Sequence, residues 1–157
     1  SIKSNSPFRT KDTAPVYAER KNKCDFEDIP QIMKKGDIYV SSSLGEGFSL
    51  VGLHAMALGM PVITTKYGGC LEYAKPGFCT YIEPKQYKRI PVMDGIPQFN
   101  NKIWPVLSLN DIKNALRYAY EKRIECSAAA QLAYHNVHNN FTYEVIGKQL
   151  LKIFGVN

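Results

Sequence analysis

Residues 37–63 constrain the fold of this chain more than any other stretch. They open with a short β-branched and aromatic run, Asp37-Ile38-Tyr39-Val40-Ser41, and continue through a small, polar, glycine-bearing bend. A segment from about Ser49 to Leu58 follows, apolar on nearly every face and stopped by Gly59. Pro61-Val62-Ile63-Thr64-Thr65 closes the unit. The pattern predicts strand, turn, helix, strand. A helix that is apolar all round must be buried. A near-continuous β-branched strand fits a parallel sheet covered on both sides.

The rest of the chain extends this pattern. Residues 1–13 are polar and predict an arm or loop, and residues 14–19 a short strand. Residues 25–35 predict a helix with Phe26, Ile29, Ile32 and Met33 on one face, Pro30 in its first turns and Gly36 as its stop. Gly68-Gly69 marks a turn into a short helix over residues 71–74, and residues 77–82 predict a strand. Residues 83–107 carry Pro84, Pro91, Pro97 and Pro105 and read as a long irregular loop, functional or mobile by its length. Ser108 caps a helix to about Arg123 with a stripe of Ile112, Ala115, Leu116 and Ala119. Two more helices are predicted over residues 125–139 and 142–154, the last with Val145, Ile146, Gln149, Leu150 and Ile153 at helical spacing. Strands alternating with helices imply a doubly wound, Rossmann-like parallel α/β sheet flanked by helices. Ligands in such sheets bind at the carboxyl ends of the strands, where the loops after Val40 and Thr65 fall.

Composition excludes several classes. At 157 residues with 45% hydrophobic and 22% charged, the chain is ordinary globular material. No apolar run reaches the roughly 18–20 residues of a membrane span. The four cysteines, Cys24, Cys70, Cys79 and Cys126, lack zinc or redox spacing and read as reduced thiols in a cytoplasmic protein. The histidines form no helical metal pair with a nearby glutamate. The net charge of +6 suits phosphate-bearing partners. No aromatic and basic pattern of an RNA-binding sheet accompanies it, so no nucleic-acid partner is expected. Membrane association is not indicated.

The chemistry concentrates in Ser43-Leu44-Gly45-Glu46-Gly47-Phe48-Ser49-Leu50. A strand leading through a tight loop into a helix start offers unpaired N–H groups and the positive end of the helix dipole. Gly47 lets an anion approach the backbone, and the Ser49 hydroxyl can donate to it. The site therefore suits a phosphate or diphosphate, with Glu46 placed to accept hydrogen bonds from sugar hydroxyls. The same residues also fit a plain helix N-terminus, with Glu46 favouring the dipole. Local chemistry leaves both readings open.

Residues 36–63 closely resemble family 4 glycosyltransferases of the GT-B fold, whose pattern runs roughly "aDvfv-PS-xx-EGFGL-xxx-EAMA-x-G-x-PVv". The continuation through Gly68-Gly69 to Glu72 is similar to the family's "gG-xx-E" turn. Asn140-Phe141-Thr142-Tyr143 and the amphipathic helix after it are similar to the closing segment. The resemblance implies the donor-binding, C-terminal domain of a retaining, metal-independent enzyme. Glu46 would be the catalytic carboxylate beside the transferred sugar. Gly45, Gly47 and the backbone at Phe48, Ser49 and Leu50 would hold the diphosphate. His54 stands where the family's second Glu binds ribose, which leaves one neutral acceptor in place of a bidentate clamp. Ser42 stands where the family often has Pro, and Ser49 where it often has Gly. Ser43, Lys66, Tyr67, Gly68, Gly69 and Glu72 are further expected donor contacts. The family's Arg and Lys pair for the leaving diphosphate is not assignable to Arg9, Lys11 or Arg20.

The implied function is transfer of a sugar from a UDP- or GDP-sugar with retention, without cofactor or metal. This chain would be one donor-binding domain over residues 1–157, a fragment inactive by itself. A glycan, lipid or protein acceptor would bind an N-terminal domain lying outside it. The alternative is a non-catalytic module that binds a nucleotide sugar or another phosphate ligand. Tyr87, Phe99 and Trp104 in the long loop either border the cleft or pack on the helices.

Overall fold

The computed structural model describes residues 25–91 and 99–155. The expected arm over residues 1–13, the strand over 14–19 and Cys24 lie outside the described residues. A 3-10 turn, Phe26–Asp28, leads into α1 (Ile29–Met33), β1 (Tyr39–Ser41), α2 (Leu50–Ala57) and β2 (Val62–Thr65). A second 3-10 turn, Gly69–Glu72, precedes β3 (Thr80–Ile82), β4 (Gln86–Arg89) and β5 (Ile103–Val106). The chain closes on α3 (Leu109–Glu121), α4 (Arg123–Asn140) and α5 (Tyr143–Ile153).

β1, β2 and β3 form a parallel sheet in that order, with Val40 opposite Ile63 and Ile63 opposite Thr80. Successive strand residues face opposite sides. Val62 accordingly joins Leu53, Met56, Tyr73, Ala74, Ala133 and Val137 in one cluster. Its neighbour Ile63 joins Ile82, Ala115, Ala119 and Cys126 in another. Helix α2 and the later turns of α4 thus cover one face, and α3 with Cys126 of the first turn of α4 the other. Burial on both faces is why β2 is buried at every residue and why its sequence does not alternate. Ala55, Ala130 and Ala133, at 0–1% exposure, supply small surfaces where α2 meets α4. Cys79 packs against the first cluster, and burial pushes its thiol up to about 12.

Four expectations change. Residues 83–107 are not wholly irregular: β4 and β5 pair antiparallel, with Tyr87 opposite Pro105 and Lys88 opposite Trp104. Every β4 residue is exposed, so no apolar periodicity announces the strand. Pro105 is tolerated because a two-stranded ribbon has only edge strands. The helix over 25–35 shrinks to a 3-10 turn and the short α1, with Pro30 near its start. The helix at 71–74 is instead a 3-10 turn two residues earlier, at Gly69–Glu72. In the closing helices, Leu116 is 42% exposed and α5 buries no residue, although both carry helical stripes.

The helix caps follow the sequence reading. Ser108 Oγ accepts from the Asp111 N–H at 3.1 Å and donates to Asp111 Oδ2 at 2.6 Å. Lys85 Nζ, 2.6 Å from Asp111 Oδ1, and the Ser108 hydroxyl hold the Asp111 carboxyl below its ordinary range. Ser108→Ala leaves the Asp111 N–H without its cap. It is expected to cost about 1 kcal/mol in urea denaturation, while Asn110→Ala in the same turn moves the midpoint far less.

Candidate functional site

The loops that follow β1 and β2 meet backbone to backbone at the carboxyl ends of the two strands. The Gly69 N–H donates to the Glu46 carbonyl at 3.0 Å. An added Cβ at Gly68 would lie 2.9 Å from the Glu46 carbonyl oxygen, and one at Gly69 would lie 1.7 Å from the Gly47 carbonyl oxygen. Gly68 also holds φ +88°, a conformation that side chains disfavour. The glycine pair is therefore a packing requirement of the joined loops as well as a turn. Cys70 is buried beneath and donates its thiol to the Tyr67 carbonyl at 3.4 Å, which ties the second loop to the core.

Helix α2 starts beside this junction. Ser49 is its N-cap residue, in the left-handed region at φ 60° and ψ 69°, and its hydroxyl makes no cap bond. The sequence pattern begins the helix at Ser49; the positive φ instead places that residue just outside. A residue other than glycine held there costs about 1–2 kcal/mol, so the surrounding contacts must hold it. Tyr73 supplies one of them. Its hydroxyl donates to the Ser49 carbonyl at 2.7 Å, which also accepts from the Leu53 N–H at 3.2 Å. An added Cβ at Gly52 would meet that hydroxyl at 2.5 Å. Burial raises the Tyr73 phenol well above its ordinary range, so it stays a donor.

Phe48 turns its ring inward, 5.3 Å from Tyr73 and 6.2 Å from Phe141 between centroids. Its side chain anchors the loop, leaving the main chain on the outer side. The first N–H groups of α2 have no partner within the helix. Glu46, in the loop that leads into them, is exposed, as are Gly45, Gly47 and Leu50. His54 lies one turn on from Leu50 and is partly buried. The structure thus brings Gly45, Glu46, Gly47, Phe48, Ser49, Leu50, Gly68 and Gly69 together.

Other expected contacts are directed elsewhere. Lys66 Nζ pairs with Glu83 Oε1 at 2.7 Å and lies 5.4 Å from the centre of the Tyr81 ring. The Tyr67 hydroxyl donates to the Ile103 carbonyl at 3.2 Å. Ser43 Oγ donates to the Gly45 carbonyl at 3.1 Å, which tightens the bend. Glu72 is exposed at the end of its 3-10 turn.

One neighbour of the site is not defined by the sequence pattern. Trp104 of β5 lies against Gly45, where an added Cβ would be 3.5 Å from the indole. Tyr87 of β4 stands 6.0 Å from Tyr67, ring to ring. The β4–β5 ribbon therefore borders both loops. The clustering of aromatics at 87, 99 and 104 is the only sequence signal for it.

A separate groove of about 620 Å³ runs between β3, α3 and α4, lined by Glu83, Lys85, Asp111 and Tyr118 among others. None of the loop-junction residues lines it. Among the described residues, no group of three or more His, Cys, Asp or Glu could hold a metal ion. No helix among them is long and apolar enough to cross a membrane.

Comparison with known proteins agrees with this fold. Residues 21–90 match the family described as Glycosyl transferases group 1. A sucrose synthase of Melioribacter roseus is 31% identical over 134 residues, covering 78% of this chain and 16% of that protein. The structure of Anabaena Alr3699/HepE in complex with UDP-glucose superposes with a TM-score of 0.62 at 22% identity, over 82% of this chain and 30% of that one. The same protein with UDP and glucose gives 0.60 at 22% identity, over 82% and 29%. The chain therefore spans 16% of the curated relative and less than a third of the solved structures. Family match over residues 21–90, shared fold and the motif around Glu46 are together consistent with a GT-B, family 4-like glycosyltransferase domain.

Proposed function

We propose that this chain is the donor-binding domain of a glycosyltransferase that moves a sugar from a nucleoside diphosphate sugar to an acceptor, with retention of anomeric configuration. The observation that carries the reading is the loop junction: an exposed residue, Glu46, in the loop that leads into an α2 start with no side-chain cap, at the carboxyl ends of two parallel strands. The diphosphate sits on the main chain of residues 47–50, which Phe48 and Tyr73 anchor from below. Gly45 and Gly47 keep the approach open. As the glycosyl bond breaks, negative charge builds on the diphosphate and is stabilised by fixed N–H dipoles. Positive character builds on the anomeric carbon, and Glu46 orients the sugar and balances that charge. His54 offers one ring nitrogen to the ribose.

The two complexes of Alr3699/HepE, with UDP-glucose and with UDP and glucose, support a uridine nucleotide sugar as donor. On this reading the chemistry is metal-free, the acceptor is a glycan, lipid or protein held by a partner domain, and the protein works in the cytoplasm. Ser43, Lys66, Tyr67 and Glu72 are outer contacts; Lys66 reaches the donor only by leaving Glu83.

Calorimetric titration of the chain with UDP, GDP, UDP-glucose and GDP-mannose, in the presence of EDTA, tests the reading. Saturable binding of one nucleotide and its sugar is expected, unchanged when magnesium replaces the chelator. Absence of heat with all four would remove the donor site. Binding without turnover in the intact enzyme would favour a non-catalytic module, which His54 in place of a carboxylate makes chemically coherent.

A further inference from the structure

We propose that the β4–β5 ribbon is the sugar-side wall of the cleft, with the Trp104 indole stacking on the transferred sugar of the donor. The inference rests on the donor-site reading above and adds a specificity residue to it. Four observations converge on the indole. It touches the loop at Gly45, the residue immediately before Glu46, whereas the α2 amino end follows Glu46 in the chain. Trp104 is partly exposed, not sealed in the core. Phe99 braces it edge-on, with ring centres 5.4 Å apart and planes at 79°. The ribbon itself is fastened to the second loop by the Tyr67 hydroxyl on the Ile103 carbonyl and by the Tyr67 and Tyr87 rings.

Chemistry selects the ligand. A hexose presents an apolar C–H face ringed by hydroxyls. Recognition of it calls for a flat apolar surface beside a group that accepts hydroxyl protons. Trp104 and Glu46 provide that pair on adjoining positions. A diphosphate has no apolar face, and its own place is at the free N–H groups of α2, beyond Glu46. Lys88 is directly opposite Trp104 in the ribbon register and shares its face. That adds a donor for sugar oxygens next to the indole.

Trp104 is the chain's single tryptophan, so its own fluorescence reports the contact. Titration with whichever of UDP-glucose and GDP-mannose binds is expected to change the emission saturably. The matching nucleoside diphosphate alone is expected to change it little, although it binds. Trp104→Ala is expected to weaken the nucleotide sugar about fivefold to tenfold, the scale of one aromatic contact. Its affinity for the matching nucleoside diphosphate should stay within about twofold, and Trp104→Phe should restore most of the loss. Calorimetric binding of the nucleotide sugar with unchanged emission would overturn the proposal while leaving the donor site standing. So would an equal loss for nucleotide and nucleotide sugar in Trp104→Ala, which would make the indole only a prop for the Gly45 loop. Failure of every nucleotide and nucleotide sugar to bind the native chain would remove donor site and wall together.

Discussion

Gly69→Ala is expected to unfold at a markedly lower temperature and to lose nucleotide binding. The added Cβ would sit 1.7 Å from the Gly47 carbonyl oxygen and 3.2 Å from the Phe48 Cα, both main-chain atoms. No rotamer change can relieve a clash between two backbones, so the loops must separate. Separation would break the bond from the Gly69 N–H to the Glu46 carbonyl and shift the start of α2. Overpacking of this severity costs about 3 kcal/mol, or ~10 °C in a chain of this size. Gly47→Ala is the matched control, because its Cβ would meet nothing within 4 Å. That variant should melt with the native protein, so any loss of nucleotide affinity in it reports the approach of the ligand. Native-like melting and binding in Gly69→Ala would mean that the loops are not joined as described.

Glu46→Gln should do the opposite, sparing the fold and removing the chemistry. The side chain is exposed, and the contact to Gly69 uses the main-chain carbonyl, which the substitution leaves in place. Melting temperature and affinity for the nucleoside diphosphate should therefore hold. Turnover in the intact enzyme should fall at least about 100-fold, the usual loss when one preorganised electrostatic partner of a transition state is removed. An amide keeps the shape and still accepts a hydrogen bond, but it carries no charge to balance an oxocarbenium-like carbon. A wild-type rate in Glu46→Gln would refute the catalytic role. A loss confined to KM would reduce Glu46 to a binding group.

Some of this is legible in the chain alone. Residues 37–65 announce a strand, a helix and a second strand; β2 is buried on both faces, which leaves no room for polar alternation, whereas the helix expected to be buried exposes Leu50 and Val51 in its first turn. The caps at Ser108 and Thr142 mark two helix starts, each side chain accepting from an N–H three residues on. The ribbon is not legible. Its strands are short, one is wholly exposed and the other contains Pro105, so each is defined only by its partner. The position of Ser49 is hidden for a similar reason. Its left-handed backbone is held by Tyr73 from 24 residues away, and Ser itself gives no sign of it.

By itself, then, the sequence determined the alternation of strands and helices through β3 and singled out the loops after β1 and β2, where the proposed donor site lies. These follow from local periodicity, glycine and charge, which need no knowledge of distant neighbours. Only the tertiary structure decided that Gly68-Gly69 is pressed against Glu46 and Gly47, that Phe48 faces inward, and that Trp104 closes one side of the loop. Each of these depends on a contact between residues far apart in the chain, and such contacts are set by how the layers pack.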